Sequence, residues 1–179
     1  MEDKINPMSA ETSRDGVDRI LAQWAVERPD LDPSPMGVVG RIHRLADLLD
    51  AGLRPPFAAE GIGHGDFDVL ASLRRAGAPY RLSASGLTAT MVVTSGAVTK
   101  RVDRLVAAGL VVRTVAEHDG RGRLIELTPR GLEITDRVVA KHWANEDRLL
   151  AALSASERDQ LAGLLRTLLL SLEPTAPGA

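Results

Sequence analysis

The sequence has no cysteine among its 179 residues, so disulfides, thiolate metal sites and cysteine redox sensing are all excluded. Aromatic residues make up only 3%. The core must therefore be built from Leu, Val, Ile and Ala, which favours helix packed on helix over an aromatic-rich sandwich or barrel. No apolar run approaches the roughly 18 residues that a membrane span requires. The leading stretch MEDKINPMSAETSRDG is too polar and acidic for a secretory signal. A cytoplasmic protein without a membrane partner is expected. The four histidines, His43, His64, His118 and His142, are scattered without metal-ligand spacing, and neither an HExxH helix nor a Gly-x-Ser-x-Gly elbow is present. An enzyme is not expected, and neither a metal nor a cofactor is implied.

Hydrophobic residues at 44% and charged residues at 26% are ordinary for a globular chain of this length. The net charge of -2 is not the basic balance usual in a nucleic-acid binder, but the charge is unevenly placed. Between Val98 and Arg130 stand Lys100, Arg101, Arg104, Arg113, Arg121, Arg123 and Arg130, against Asp103, Glu117, Asp119 and Glu126. That segment carries a positive excess, which dimerisation would double. Overall acidity argues against sequence-blind binding and leaves a specific operator reader open.

Residues 1–14 read as a disordered arm. From Asp15, the residues Val17, Ile20, Leu21, Trp24 and Ala25 recur at helical spacing until Pro29. After the proline-rich link RPDLDPSP, a second helix is predicted from Met36 to about Leu53, and RPPFAAEGIGHG reads as a loop. A third helix covers Asp66 to about Arg75, with Phe67, Leu70 and Leu73 inward. Ser83 caps a short helix to Thr90, Met91 to Val93 form a turn, and Thr94 caps a longer helix. That helix places Ala97, Val98, Val102, Leu105 and Val106 toward the core and stops at Gly109, where a left-handed residue is wanted. Leu110–Val115 and Leu124–Leu127 form a hairpin with a basic, glycine-rich tip. Pro129 starts a long helix to about Leu153. Ser154 with Glu157 forms a capping box that opens a last helix ending near Leu172, and residues 174–179 read as a disordered tail.

Short helix, turn, longer helix and β-hairpin in this order predict a mainly α winged helix-turn-helix with a small β-hairpin wing, flanked by N- and C-terminal dimerisation helices. The expected division is an N-terminal pair of helices over 15–60, forming dimer contacts and a ligand pocket. The DNA-binding domain covers 61–130 and the C-terminal dimerisation helices 131–173. The last helix carries Leu161, Leu164, Leu165, Leu168, Leu169 and Leu172, more apolar surface than one wing domain covers, which fits a subunit interface; the blander possibility is a helix folded back on its own core.

On the longer helix, Ser95, Thr99 and Lys100 lie opposite the Val98, Val102 and Leu105 stripe, and Gly96 permits close backbone approach. Hydroxyls and amines there suit base edges and phosphates in a major groove. Arg101 and Arg104 lie further round and suit either a phosphate or an internal partner. The tip HDGRGR places Arg121 where it reaches a narrow minor groove, with Asp119 to hold its guanidinium and Arg123 following. Taken alone the helix face reads equally as a solvated surface, and the tip as a hairpin charged for solubility. Together they point to double-stranded DNA. The competing non-enzymatic reading is a winged-helix protein-protein module without DNA binding.

The run SGAVTKRVDRLVAAGLVVR, the DGRG tip and LIELTPRG resemble the recognition helix, wing and following helix start of the MarR family of transcriptional regulators. FDVLASLRRAGAPYRLS resembles the entry to the same domain, and ILAQWAVERPDLDPSPMGVVGRIHRLADLL resembles the N-terminal part of the PecS-like, urate-responsive branch. The chain departs from the family in the wing, where Gly120 replaces the first of two usual arginines and leaves Arg121. It departs again in SASGLTATM, which is less charged than the corresponding helix of many relatives. The resemblance implies a cytoplasmic, homodimeric repressor of a palindromic operator. It also implies a small effector, urate or a phenolic or purine-like molecule, at a site matching Trp24, Asp68, Arg101 and Arg113. A planar anion would there stack on an indole and be neutralised by guanidinium groups.

Overall fold

The computed structural model describes residues 14–91, 95–115 and 123–173, without the side chains of Ser95 and Val115. The expected arm and tail, the Thr94 cap and the hairpin tip therefore lie outside the described residues, apart from Arg14. Among the described residues there are eight helices and three strands: α1 Gly16–Glu27, α2 Ser34–Leu53, α3 Pro55–Ala58, α4 His64–Arg75, β1 Arg81–Ser83, α5 Ala84–Thr90, α6 Ser95–Ala107, β2 Val111–Val115, β3 Arg123–Leu127, α7 Pro129–Leu149 and α8 Ala155–Leu172. Among them no helix is long and apolar enough to cross a membrane, and no cluster of metal-ligating side chains occurs. The chain divides into two compact units, residues 1–52 and 53–179.

In the first unit α1 opens on a capping box. The Asp15 carboxylate accepts from the Val17 and Asp18 amides, and Asp18 reaches back to the Asp15 amide. Arg41 of α2 clamps this turn, donating to Asp15 at 2.9 Å and to Asp18 at 2.6 Å. The Arg41 hydrogen bond holds the Asp18 carboxyl below the usual carboxylate range. α2 packs on α1 here, where a methyl at Gly40 would lie in ordinary contact with the Val17 side chain at 3.5 Å. Little else is buried here. Ile20, Trp24, Val26, Val38, Val39, Leu45 and Leu48 all stand exposed.

The second unit holds one hydrophobic core. Val69, Leu70 and Leu73 of α4 are fully buried, with Leu87, Val98, Val102, Leu105, Val111, Ile125 and Val138 around them. The sheet has the order β1-β3-β2 and is antiparallel throughout, with Arg81 opposite Glu126 and Val111 opposite Leu127. β1 is absent from the sequence-based expectation. Three residues are too few for an alternating pattern, and β3 alone supplies the partner that makes them a strand. α3 lies inside the stretch expected to be loop. Its Pro55 stands at the first helical position, where proline is tolerated, and Phe57 anchors it at 1% exposure.

Two junctions fix the frame. α6 ends in a Schellman turn: Gly109, at φ +69°, donates to the Val106 carbonyl and Leu110 to that of Leu105. The start of α7 then seats on this turn. The Thr128 hydroxyl caps Gly131 and donates to the Gly109 carbonyl at 2.9 Å. α7 stops at Leu149, short of the expected Leu153. The break is held by Arg158 of α8, which pairs with Asp147 and donates to the Leu150 and Leu153 carbonyls. α8 opens on the expected Ser154–Glu157 capping box, and none of its residues is buried.

Candidate nucleic-acid interface

α6 follows α5, packs against it, and leads into the β2–β3 hairpin, so the helix-turn-helix and its wing are contiguous. Val98, Val102 and Leu105 are at most 3% exposed. Because a helix advances about 100° per residue, burying that stripe turns Thr99 and Lys100 outward, and both are exposed. Gly96 is also exposed, and a methyl there would meet nothing within 4 Å, so the first turn of α6 presents bare backbone. Ser95 begins the helix. Arg123 is exposed at the head of β3, opposite Val115. Asp119 and Arg121 lie outside the described residues.

The two arginines of α6 reach across to the N-terminal end of α4. Arg104 binds Asp66 in a bidentate pair along one edge of its guanidinium, Nη2 to Oδ1 at 2.6 Å and Nε to Oδ2 at 3.3 Å. That hydrogen bond, with the Asp66 charge, raises the Arg104 pKa above its ordinary value. Arg101 binds Asp68, Nη1 to Oδ2 at 3.2 Å. To do so its guanidinium crosses Gly65 so closely that a methyl there would fall 2.4 Å from Cζ. His64 Nε2 stands 3.9 Å from the other Asp68 oxygen, and its ring stacks on Phe57 with centroids 5.2 Å apart. The start of a helix is a region of partial positive charge that disfavours cations. Two arginines are held there because two carboxylates meet them.

Of the four residues expected to hold a ligand, Asp68 and Arg101 are in contact. Arg113, on β2, pairs instead with Asp103 of α6. Trp24 stands on α1 in the other unit, half exposed. The sequence reading missed Gly65, Asp66 and Asp103. The available signal was the spacing: carboxylates two apart at a helix start, and arginines three apart on the helix that packs against it.

Comparison with known proteins identifies the family and the fold. The MarR family pattern matches residues 60–122. The HTH-type transcriptional regulator PecS of Dickeya dadantii (strain 3937) is 40% identical over 149 residues, 83% of this chain and 90% of that protein. A mutant MarR from E. coli, solved in complex with operator DNA, superposes with a TM-score of 0.66 at 30% identity, over 75% of this chain and 94% of that one. A MarR family regulator from Streptomyces coelicolor, solved in complex with DNA, shares the fold with a TM-score of 0.73 at 24% identity, over 83% and 94% of the two chains. The chain belongs to the MarR family of winged helix-turn-helix DNA-binding transcriptional regulators, in its PecS-like branch.

Proposed function

We propose that the protein is a homodimeric, operator-specific transcriptional repressor whose DNA affinity is set by a small planar ligand. The observation that carries the DNA reading is α6 itself. It buries Val98, Val102 and Leu105 and turns Thr99, Lys100 and the bare backbone at Gly96 outward. Ser95, Gly96, Thr99 and Lys100 enter the major groove, Arg104 lies at its edge, and the wing carries Asp119, Arg121 and Arg123 to the adjoining minor groove. In functional terms residues 15–60 serve dimerisation and the ligand pocket, 61–130 read DNA, and 131–173 complete the dimer.

Dimerisation is supported by exposed apolar surface. On α8, Leu164, Leu169, Leu170 and Leu172 are each more than half exposed, and Trp143 on α7 is 66% exposed. Exposed apolar side chains in this number fit a covered subunit interface, and a two-fold dimer reads a palindrome. The ligand reading rests on the Asp68–Arg101 pair. A planar anion such as urate, or a phenolic or purine-like molecule, competes with Asp68 for Arg101. Because Arg101 belongs to the recognition helix, that competition alters DNA affinity directly.

The test is binding of the full chain to DNA from upstream of its own coding sequence, against a scrambled duplex, over a salt series with and without urate. Selective binding that falls steeply with salt, and shifts with urate, is expected. Equal, weak binding to both duplexes points to a distant operator or to the protein-partner role. Selective binding indifferent to urate refutes only the choice of ligand.

A further inference from the structure

We infer that Asp66 is a positioning residue for the recognition helix: through Arg104 it fixes the rotation of α6 that presents Lys100 to DNA. The inference rests on the operator reading above and adds a residue that touches no nucleic acid. Asp66 is 9% exposed and belongs to α4, whose Val69, Leu70 and Leu73 are fully buried, so its anchor is the rigid core. Arg104 stands one helical turn beyond Lys100 on the same face of α6. Gripping its planar guanidinium by two donors along one edge, at 2.6 and 3.3 Å, fixes both the rotation and the height of that face. The neighbouring Arg101–Asp68 contact is single, longer at 3.2 Å, and made by an acid 37% exposed, against 12% for the Asp66 side chain. Asp66 is therefore the fixed point, and Asp68 the contact open to exchange.

The sign of one substitution separates this role from simple electrostatics. If Arg104 serves only as a phosphate contact, Asp66 is a liability that neutralises it. Asp66→Asn would then free a cation and tighten binding to any duplex. If Asp66 positions the helix, the same change weakens specific binding alone. A merely destabilised protein has a smaller active fraction and loses specific and non-specific binding in equal proportion.

The experiment uses full-length protein and a duplex that the wild-type chain enriches from a randomised library, with a scrambled duplex as control. The variants are Asp66→Asn, Arg104→Lys, which keeps the charge but not the bidentate grip, and the two combined. Thermal melts establish that each is folded at the assay temperature. The expected result is about a tenfold loss on the enriched duplex for each single variant, comparable to one mismatched base pair. Binding to the scrambled duplex is unchanged or stronger, and the double variant is no worse than the weaker single, because both act through one contact. Should Asp66→Asn fail to fold, Arg104→Lys carries the same test. Unchanged or tighter operator binding, or equal losses on both duplexes, overturns the positioning role and leaves the operator reading standing. No enriched sequence with the wild-type chain overturns both.

Discussion

Gly131→Ala sets two physical effects against each other at the start of α7. In an ordinary helix the change is favourable, because alanine exceeds glycine in helix propensity by about 1 kcal/mol. Here a methyl at Gly131 would fall 1.9 Å from the Leu110 carbonyl oxygen, where real contacts do not come under 3.0 Å. Both sides of the clash are backbone, so no side chain can swing away. The start of α7 must lift from the Schellman turn by about 1 Å, and that movement strains the bond from the Thr128 hydroxyl to Gly109 at 2.9 Å and from the Thr128 amide to Leu110 at 3.1 Å. Overpacking costs roughly 1–3 kcal/mol and each hydrogen bond about 1 kcal/mol. After the propensity gain, the expected net loss is about 2–4 kcal/mol, a large part of the roughly 5–15 kcal/mol that holds a domain. The assay is urea unfolding followed by circular dichroism, at one fixed protein concentration because oligomerisation shifts apparent stability. The midpoint is expected to fall by about 1 M or more. An unchanged or raised midpoint would refute the reasoning and show that the junction relaxes freely.

Three further predictions concern the surface and the site. Glu60 is held below the ordinary glutamate range, first by its hydrogen bond from Lys141 and then by Arg137. A depressed folded-state pKa contributes stability that is complete above the unfolded value of about 4.3 and is lost as pH falls through the folded one. Glu60→Gln should therefore lower stability near pH 7 and leave it little changed near pH 3, as read by urea midpoints at the two pH values; equal effects at both would contradict the ion-pair account. For the proposed dimer, Leu165→Glu with Leu168→Glu should halve the mass seen by light scattering while the far-ultraviolet dichroism persists; an unchanged mass would contradict an interface through α8. Gly65→Ala meets only the mobile end of Arg101, so it should change stability by less than about 1 kcal/mol yet break the Arg101–Asp68 contact in a crystal structure; survival of that contact would contradict the close crossing.

The elements with strong local signals were legible without coordinates. Gly109 announced a left-handed stop and adopts φ +69°. Ser154 with Glu157 announced a helix start, and the Val98–Val102–Leu105 spacing announced which face of α6 is buried. Each depends on residues within a few positions of one another, where backbone geometry and helical period leave few choices. The resemblance to the MarR family was likewise carried by contiguous runs.

What only the tertiary structure decided depends on residues far apart in the chain. β1 is a strand because β3 lies beside it, and α3 is held in place by Phe57 in a distant core. The spacing signalled two acids and two arginines, but the matching of Arg104 with Asp66, Arg101 with Asp68 and Arg113 with Asp103 was decided by the fold. An arginine on a helix face has several carboxylates within its sequence-level reach, and the choice among them is made by how two helices cross. Local periodicity specifies which face of α6 is inward, while packing of α4 against α6 determines which charges are engaged and which remain exposed.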